Sequence, residues 1–187
     1  MSDEDITYLL VDGENIDATL GMSVLGRRPQ SDERPRWDRV LSYIAQNNYG
    51  KVKALFFLNA SDHIPMAFVQ ALLAMDYRPV PLASTGDEKV VDVGIQRTLE
   101  TIADSDSGNV ILASHDGDFE PQLRSLLEKG RTVTVIGFEE FLSNELRQLT
   151  DYGLKIIDLE REIKAFNTQL PRVGIITLDT FDPIKFL

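Results

Sequence analysis

Short continuous apolar runs alternate with segments whose apolar residues recur at helical spacing over the first 160 residues. The runs predict strands that are covered on both faces of a sheet, and they span residues 7–11, 52–58, 109–113, 132–136 and 154–159. The periodic segments predict helices, at 37–44, 66–73, 91–103, 119–129 and 138–149. This alternation predicts an α/β protein in three layers, with a mostly parallel, Rossmann-like central sheet between helices.

Three further stretches are less regular. Residues 18–37 contain two glycines and two prolines without a clear period, which predicts a loop. Residues 78–82 contain two prolines, which favours an edge strand because proline donates no ladder hydrogen bond. Beyond a short helix predicted at 160–166, the tail holds a strand-like run at 173–178. We therefore predict one domain over residues 1–160 and a C-terminal extension, 161–187, that packs on it or extends from it.

The composition fits a soluble globular chain. Its 187 residues are 43% hydrophobic and 26% charged, and none is cysteine, which excludes disulfides and thiolate chemistry. The longest apolar runs have about eight residues, too few to span a bilayer. The first five residues include three acids and do not resemble a basic, apolar leader, so we expect a cytoplasmic protein that does not contact membranes.

The charge balance is acidic. Nineteen basic and 30 acidic residues give a net charge of −11, which opposes long-range attraction of nucleic acid. A local basic patch can reverse that sign, and four arginines stand against two acids within residues 26–37. Those arginines are either such a patch or part of a solvated loop.

Aspartates follow two of the predicted strands. Asp12 ends the first strand, and Asp116 and Asp118 come directly after the strand at 109–113. Asp92 begins the helix at 91–103, on the rim of its apolar stripe. Ligands bind outside the carboxyl ends of strands in open α/β sheets, so we expect these four carboxylates to meet there. Mg²⁺ or Mn²⁺ would remove their mutual repulsion, since both ions prefer oxygen ligands.

Each aspartate also has a purely structural interpretation. Asp-Gly, found at residues 12–13 and 116–117, is a common turn dipeptide. Asp118 is suited to cap the following helix, and Asp92 is suited to the first turn of its own helix, where the dipole favours an acid. The metal site is favoured by the four positions together and by none of them alone.

Three ordered motifs resemble those of a known family. Residues 11–15, Val-Asp-Gly-Glu-Asn, resemble the Asp-Gly-x-Asn signature of NYN domains, and residues 89–93 resemble their Lys-x-x-Asp motif. Residues 114–121 resemble their Ser-Gly-Asp-x-Asp-Phe-x-Pro block. Residues 141–159 are similar to the end of the LabA-like subgroup. The resemblance covers residues 6 to about 159.

This resemblance implies a PIN-like fold and a metal-dependent ribonuclease site. Carried over by position, the acidic cluster comprises Asp12, Asp92, Asp116 and Asp118, and the substrate-side residues are Asn15, Ser114 and Lys89. Asn15 accompanies the cluster, unless it only closes the turn after Asp12. His115 stands where the family usually has glycine, so its side chain either narrows the cleft or points outward.

The favoured hypothesis is RNA phosphodiester hydrolysis assisted by Mg²⁺ or Mn²⁺. Asp12 and Asp116 are the expected direct ligands, while Asp92 and Asp118 ligate the ion or hold its waters, and Lys89 contacts phosphate. RNA is the expected partner, and a homodimer stays open. The alternative is a non-catalytic protein that keeps the fold and binds RNA or a protein. A haloacid-dehalogenase-type phosphatase is disfavoured because its Asp-x-Asp motif would need aspartate where Glu14 stands.

Overall fold

Six parallel strands form one central sheet in the computed structural model, which describes residues 6–86 and 89–187. Residues 1–5 and positions 87 and 88 lie outside the described residues. The strands are β1 Ile6–Asp12, β2 Lys51–Asn59, β3 Arg78–Leu82, β4 Asn109–Ala113, β5 Val133–Gly137 and β6 Lys155–Asp158. Their order across the sheet is β3-β2-β1-β4-β5-β6, which confirms the parallel α/β prediction and places the proline-containing β3 at an edge.

Helices connect the strands and cover both faces of the sheet. They are α1 Gly13–Thr19, α2 Trp37–Gln46, α3 Met66–Ala74, α4 Val90–Asp104, α5 Glu120–Glu128 and α6 Asn144–Gln148. Side chains of a strand point alternately to its two faces. In β1, Leu10 therefore packs with residues of α4 and α5, whereas Leu9 and Val11 pack with residues of α1, α2 and α3. Two apolar cores, one on each side of the sheet, give the three predicted layers.

The loop predicted at 18–37 is wrong for its first part. Helix α1 continues into a π-helical segment, Leu20–Leu25, and a short 3₁₀ turn follows at Ser31–Glu33. Ile16 and Leu20 are buried one helical turn apart, which is too short a repeat to stand out in the sequence. Gly26, with φ of +69°, ends the segment in the left-handed conformation that glycine adopts most easily.

The later elements differ from their predictions in length. The helix predicted at 138–149 is interrupted, because α6 begins only after Ser143, whose hydroxyl accepts a hydrogen bond from the Leu146 amide. Residues 160–162 form a turn, residues 163–166 form no helix, and 173–178 form no strand. A strand needs a partner, and the sheet ends at β6.

The C-terminal segment has two parts that differ in burial. Ile163, Ala165 and Leu170 are buried in the apolar cores, whereas Val173 and Ile175 are fully exposed. The boundary at residue 160 stays a prediction. Among the described residues, the helices are too short or too polar for any one of them to cross a lipid bilayer.

Candidate active site

The strand order reverses between β1 and β4, and the candidate site lies at that point. Strands β1 and β4 are neighbours, with Val11 opposite Ala113 in the register. The next residues, Asp12 and Ser114, therefore leave the sheet side by side. Ligands bind in the crevice that opens at such a reversal, outside the carboxyl ends of the strands.

Asp12 is the most buried of the four aspartates, with only 2% of its surface exposed. The Ser114 hydroxyl donates to Asp12 Oδ2 at 2.9 Å, and the Asn15 backbone amide donates to Oδ1 at 3.4 Å. Burial raises the pKa of Asp12 to about 7, and the nearby carboxylates of Asp92 and Asp116 push in the same direction. The two hydrogen bonds oppose that shift but do not cancel it.

Three further aspartates come together at the open side of the crevice. Asp92 lies in the first turn of α4, Asp116 follows β4, and Asp118 lies in a 3₁₀ turn, Gly117–Phe119. One carboxylate oxygen from each lies within 4.8 Å of the other two. Asp12 is outside this group of three but close enough to interact electrostatically with two of its members. We call Asp92, Asp116 and Asp118 the acidic triad.

The acidic triad holds more negative charge than its surroundings balance. Burial and then the Asp116 carboxylate raise the pKa of Asp92, and Asp118 adds to the shift. The opposing charge is Lys89, whose Nζ lies 3.9 Å from Asp92 Oδ2 and whose side chain is 77% exposed. Burial, together with the charge of Asp92, also raises the pKa of Glu14. Hard carboxylate oxygens with excess negative charge suit Mg²⁺ or Mn²⁺.

Asp116 and Ser114 are positioned by short local hydrogen bonds. Asp116 Oδ1 accepts from the Asp118 amide at 2.9 Å, and the Asp116 amide donates to Ser114 Oγ at 3.2 Å. Ser114 therefore connects the buried Asp12 carboxylate to the start of the 3₁₀ turn. The Asp-Gly turn chemistry expected of these positions is present, and it holds the carboxylates at the cleft.

His115 is turned into the protein, so of the two alternatives for its side chain the outward-pointing one is wrong. Only 5% of the residue is exposed. Its Nε2 accepts from the Phe138 amide at 2.8 Å, and its Nδ1 lies 3.0 Å from Asn15 Oδ1. Burial lowers the pKa of His115 to about 4, against the opposing charges of Glu140 and Asp158, so the ring is neutral at physiological pH.

The arginines of the 26–37 stretch are largely paired. Arg27 pairs with Glu33, and Arg36 pairs with Asp38. Arg34 pairs with Asp17 of α1. These ion pairs neutralise most of the local excess, so the stretch offers little unbalanced positive charge to a nucleic acid.

Two residues of the site escaped the sequence reasoning. Glu14 stood only as the variable position of the first motif, although its place directly after Asp12-Gly13 brings it near Asp92. The inward contacts of His115 depend on Asn15 and Phe138, which are 100 and 23 residues away in the chain. The signal for His115 was its departure from the family's glycine, but only the fold supplies its partners.

Comparison with known proteins identifies the family. The NYN domain model matches residues 6–159, which is most of the chain and includes every aspartate of the site. This protein belongs to the NYN domain family. NYN domains are usually nucleases with a PIN-like fold that act on RNA, and the acidic triad of this NYN domain is compatible with their divalent metal site.

Two individual relatives show how far the similarity extends. The chain is 28% identical over 159 residues to the uncharacterized protein MJ0482 of Methanocaldococcus jannaschii, covering 82% of this chain and 58% of that protein. The NYN chain thus spans less than two thirds of that relative. The crystal structure of a protein of unknown function, VPA0982 from Vibrio parahaemolyticus, superposes with a TM-score of 0.63 at 22% identity, over 86% of this chain and 96% of that one. The second likeness concerns the fold alone.

Proposed function

We propose that this NYN protein is a ribonuclease that hydrolyses RNA phosphodiester bonds with Mg²⁺ or Mn²⁺. The observation that carries the proposal is the acidic triad, three carboxylates within 4.8 Å at the sheet's reversal point, beside the buried Asp12. A turn or a helix cap would need one of these acids. Their convergence in a nuclease family favours catalysis.

Asp92, Asp116 and Asp118 are the residues that would hold the cation. When bound, such an ion lowers the pKa of a water and neutralises charge on the scissile phosphate. Asp12 lies behind the acidic triad, and its hydrogen bonds with Ser114 and Asn15 fix its carboxylate. We assign it to the same acidic cluster as its fourth member, a buried carboxyl within electrostatic reach of Asp92 and Asp116.

The remaining residues of the site supply polar and positive contacts. Lys89 is exposed next to Asp92, so its ammonium group can reach a substrate phosphate as well as the carboxylate. We propose that Lys89 and the Asn15 amide bind RNA phosphate. Ser114 is fully buried and bonded to Asp12, which suits it to orient that carboxylate.

We also assign the chain to the LabA-like subgroup, on the sequence between residues 141 and 159. In the structure Ser143 caps α6, Leu146 is buried and Asp158 ends β6. Asp158 accepts bonds from the Glu139, Glu160 and Arg161 amides, so this part of the motif orders the turn after β6 and connects it to the residues that follow β5.

The decisive experiment compares two ends of one helix. Asp92 lies in the first turn of α4 and Asp104 is its last residue, 83% exposed and paired with Lys129. Labelled single-stranded RNA is incubated with Mn²⁺, Mg²⁺ or EDTA and with wild type, Asp92→Asn, Asp116→Asn or the control Asp104→Asn. We expect cation-dependent cleavage that falls about 100-fold or more in the first two variants, because several kcal/mol of charge stabilisation are lost.

Cleavage in EDTA, or cleavage that persists in Asp116→Asn, would contradict the proposal. Thermal unfolding provides a readout that does not depend on activity. A cation that binds only the folded state raises the melting temperature. We expect Mn²⁺ to stabilise wild type and Asp104→Asn more than Asp116→Asn.

A binding protein that does not cleave RNA is the second candidate, and charge is the observation that favours it. The chain carries a net charge of −11, and three of the four arginines in the 26–37 stretch are paired with acids. This candidate predicts that no cleavage occurs with either metal while Mn²⁺ still raises the melting temperature.

A further inference from the structure

The orientation of the Asn15 side chain is fixed by an unambiguous donor. The backbone amide of His115 lies 2.8 Å from the Asn15 side-chain oxygen, Oδ1. A backbone N–H can only donate, so the atom that faces it must be the carbonyl oxygen of the carboxamide and not its nitrogen.

The same reasoning fixes the proton on the His115 ring. The Phe138 backbone amide donates to His115 Nε2 at 2.8 Å, so that nitrogen holds a lone pair. In the neutral ring the proton then lies on Nδ1, which is 3.0 Å from Asn15 Oδ1 and donates to it. Asn15 Oδ1 therefore accepts two hydrogen bonds from one residue, and both of its lone pairs are used.

The two N–H groups of the Asn15 side chain remain available to the cleft. With Oδ1 held by His115, the Asn15 NH₂ group points away from it, and no residue within 6–86 or 89–187 accepts a hydrogen bond from it. The Asn15 backbone amide bonds to Asp12 Oδ1, which places this residue at the edge of the acidic cluster. An amide with two unused N–H groups at that position suits a phosphate oxygen.

The sheet leaves room for the imidazole ring at this position. A Cβ added to Gly137 would lie 2.7 Å from His115 Nε2, so only glycine fits beside the ring. The Phe138 ring stacks on the imidazole with centroids 5.8 Å apart and planes 5° apart. Gly137 and Phe138 thus hold the ring in the one orientation that serves Asn15.

We propose that His115 is a positioning residue that holds the Asn15 carboxamide with both N–H groups toward the cleft, where they bind an RNA phosphate. The phosphate contact rests on the proposed nuclease function. The positioning of Asn15 by His115 can be tested without it.

Two substitutions of His115 separate its two hydrogen bonds. In His115→Asn the side-chain NH₂ group takes the place of Nδ1–H and can still donate to Asn15, but the Phe138 amide loses its acceptor. In His115→Gln the amide oxygen reaches the place of Nε2 and can accept from Phe138, but the side-chain donor to Asn15 is lost and only the backbone amide of residue 115 still donates to it. The two variants therefore keep opposite halves of the network.

If His115 positions Asn15, the variant that binds RNA less well should be the more stable of the two variants. Because Asn15 would bind the ground state and the transition state alike, we expect the KM for a short RNA oligonucleotide to rise about 5- to 10-fold in His115→Gln with little change in kcat. The rise should be smaller in His115→Asn. The melting temperature should fall further in His115→Asn, because it leaves the buried Phe138 amide unpaired.

A purely structural role would give one ranking for both measurements, with the less stable variant also the less active. That result would overturn the proposal. The variant Asn15→Ala tests whether the effect of His115 on RNA binding runs through Asn15. If His115 acts through Asn15, adding His115→Gln to Asn15→Ala should raise KM by less than His115→Gln does alone.

Nuclear magnetic resonance separates this proposal from the nuclease proposal. The ¹⁵N-labelled Asn15 side-chain NH₂ signals are measured in EDTA, without RNA. We expect them to shift or broaden in His115→Gln and to stay near their wild-type positions in His115→Asn. Unchanged signals in both variants would overturn the positioning role even if RNA is cleaved, whereas the expected shifts would support it even if no RNA is cleaved.

Discussion

Two neighbouring groups of side chains near the end of β4 differ in charge and in burial. The acidic triad is partly exposed, and it places one oxygen from each of its three carboxylates within 4.8 Å of the others, with Lys89 next to Asp92. His115, the residue directly before Asp116, is buried and neutral, and both of its ring nitrogens have partners. Charge is thus kept where a cation can reach it, and the buried side is neutral because an unpaired buried charge is costly.

Asp12 lies between these two environments and shares features of both. It is as buried as His115 but belongs electrostatically to the acidic cluster, and its pKa rises to about 7. The difference between the open and buried sides can therefore be tested by removing one charge or one contact at a time. All the stability measurements below are made in EDTA, so that no bound cation alters the titration.

The largest effect on stability is expected from Asp12→Asn. The folded pKa of about 7 lies above the ordinary value of 3.8, so the folded protein retains a proton that the unfolded chain has lost. Stability is therefore full below the ordinary pKa and is lost as the pH rises towards 7. Asparagine does not ionise, so we expect the variant to exceed wild type at about pH 8 by roughly 3–4 kcal/mol in unfolding free energy, measured with urea.

Asp104→Asn is the control for that measurement, since Asp104 is exposed. Its stability should follow wild type within about 0.5 kcal/mol over the same pH range. An Asp12→Asn variant that is no more stable than wild type at alkaline pH would mean that the buried carboxylate is stabilised by its two hydrogen bonds more than burial destabilises it.

The next effect comes from the titration of His115, which lowers stability as the pH falls, whereas that of Asp12 lowers it as the pH rises. Its folded pKa of about 4 lies below the ordinary 6.5, so the unfolded chain binds a proton first. Stability from the neutral ring is present above 6.5 and is lost as the pH falls towards 4. In the Asp12→Asn background we expect a loss of about 2–3 kcal/mol between pH 7 and 4.5.

The double variant Asp12→Asn/His115→Asn should lack that loss. In wild type the two titrations run in opposite directions over the same pH range, and their effects on the unfolding free energy largely cancel. An equally steep acid loss in the double variant would assign the effect to other groups.

A smaller effect is expected from Gly137→Ala. The added methyl group would press against the buried His115 ring, and overpacking of this kind costs about 1–3 kcal/mol. Gly174→Ala is the control, because nothing lies within 4 Å of the added Cβ there. Combining Gly137→Ala with His115→Asn should cost less than the sum of the two changes, since the smaller side chain leaves room for the methyl group.

The smallest effect is expected from Lys89→Ala. The pair with Asp92 is largely exposed, so its loss should change the unfolding free energy by no more than about 0.5 kcal/mol. Removing this positive charge should instead strengthen Mn²⁺ binding about two- to five-fold, as measured by calorimetry. Lys129→Ala, which removes the partner of Asp104 at the far end of α4, should leave Mn²⁺ affinity unchanged.

The layered fold and most of its elements could be predicted from local pattern. The apolar runs that form β1, β4 and β5 are covered on both faces, and the prolines of β3 do place it at the sheet edge. The predicted secondary structure was wrong where a segment was too short to show its repeat or had no partner in the sheet. The helical turns up to Leu25 bury too few residues to show a repeat, and the strand-like run at 173–178 has no partner strand.

From the residues alone we could predict which carboxylates lie at strand ends and that a parallel sheet brings those ends to one edge. The folded chain was needed to show that Asp92, Asp116 and Asp118 meet while Asp12 is buried within electrostatic reach of them, and that His115 is neutral and bonded to Asn15. This is because alternation and spacing are local properties of the chain. Burial, charge state and hydrogen-bond direction depend on residues far apart in the chain, such as Asp12 and Ser114, which are 102 positions apart and hydrogen-bonded.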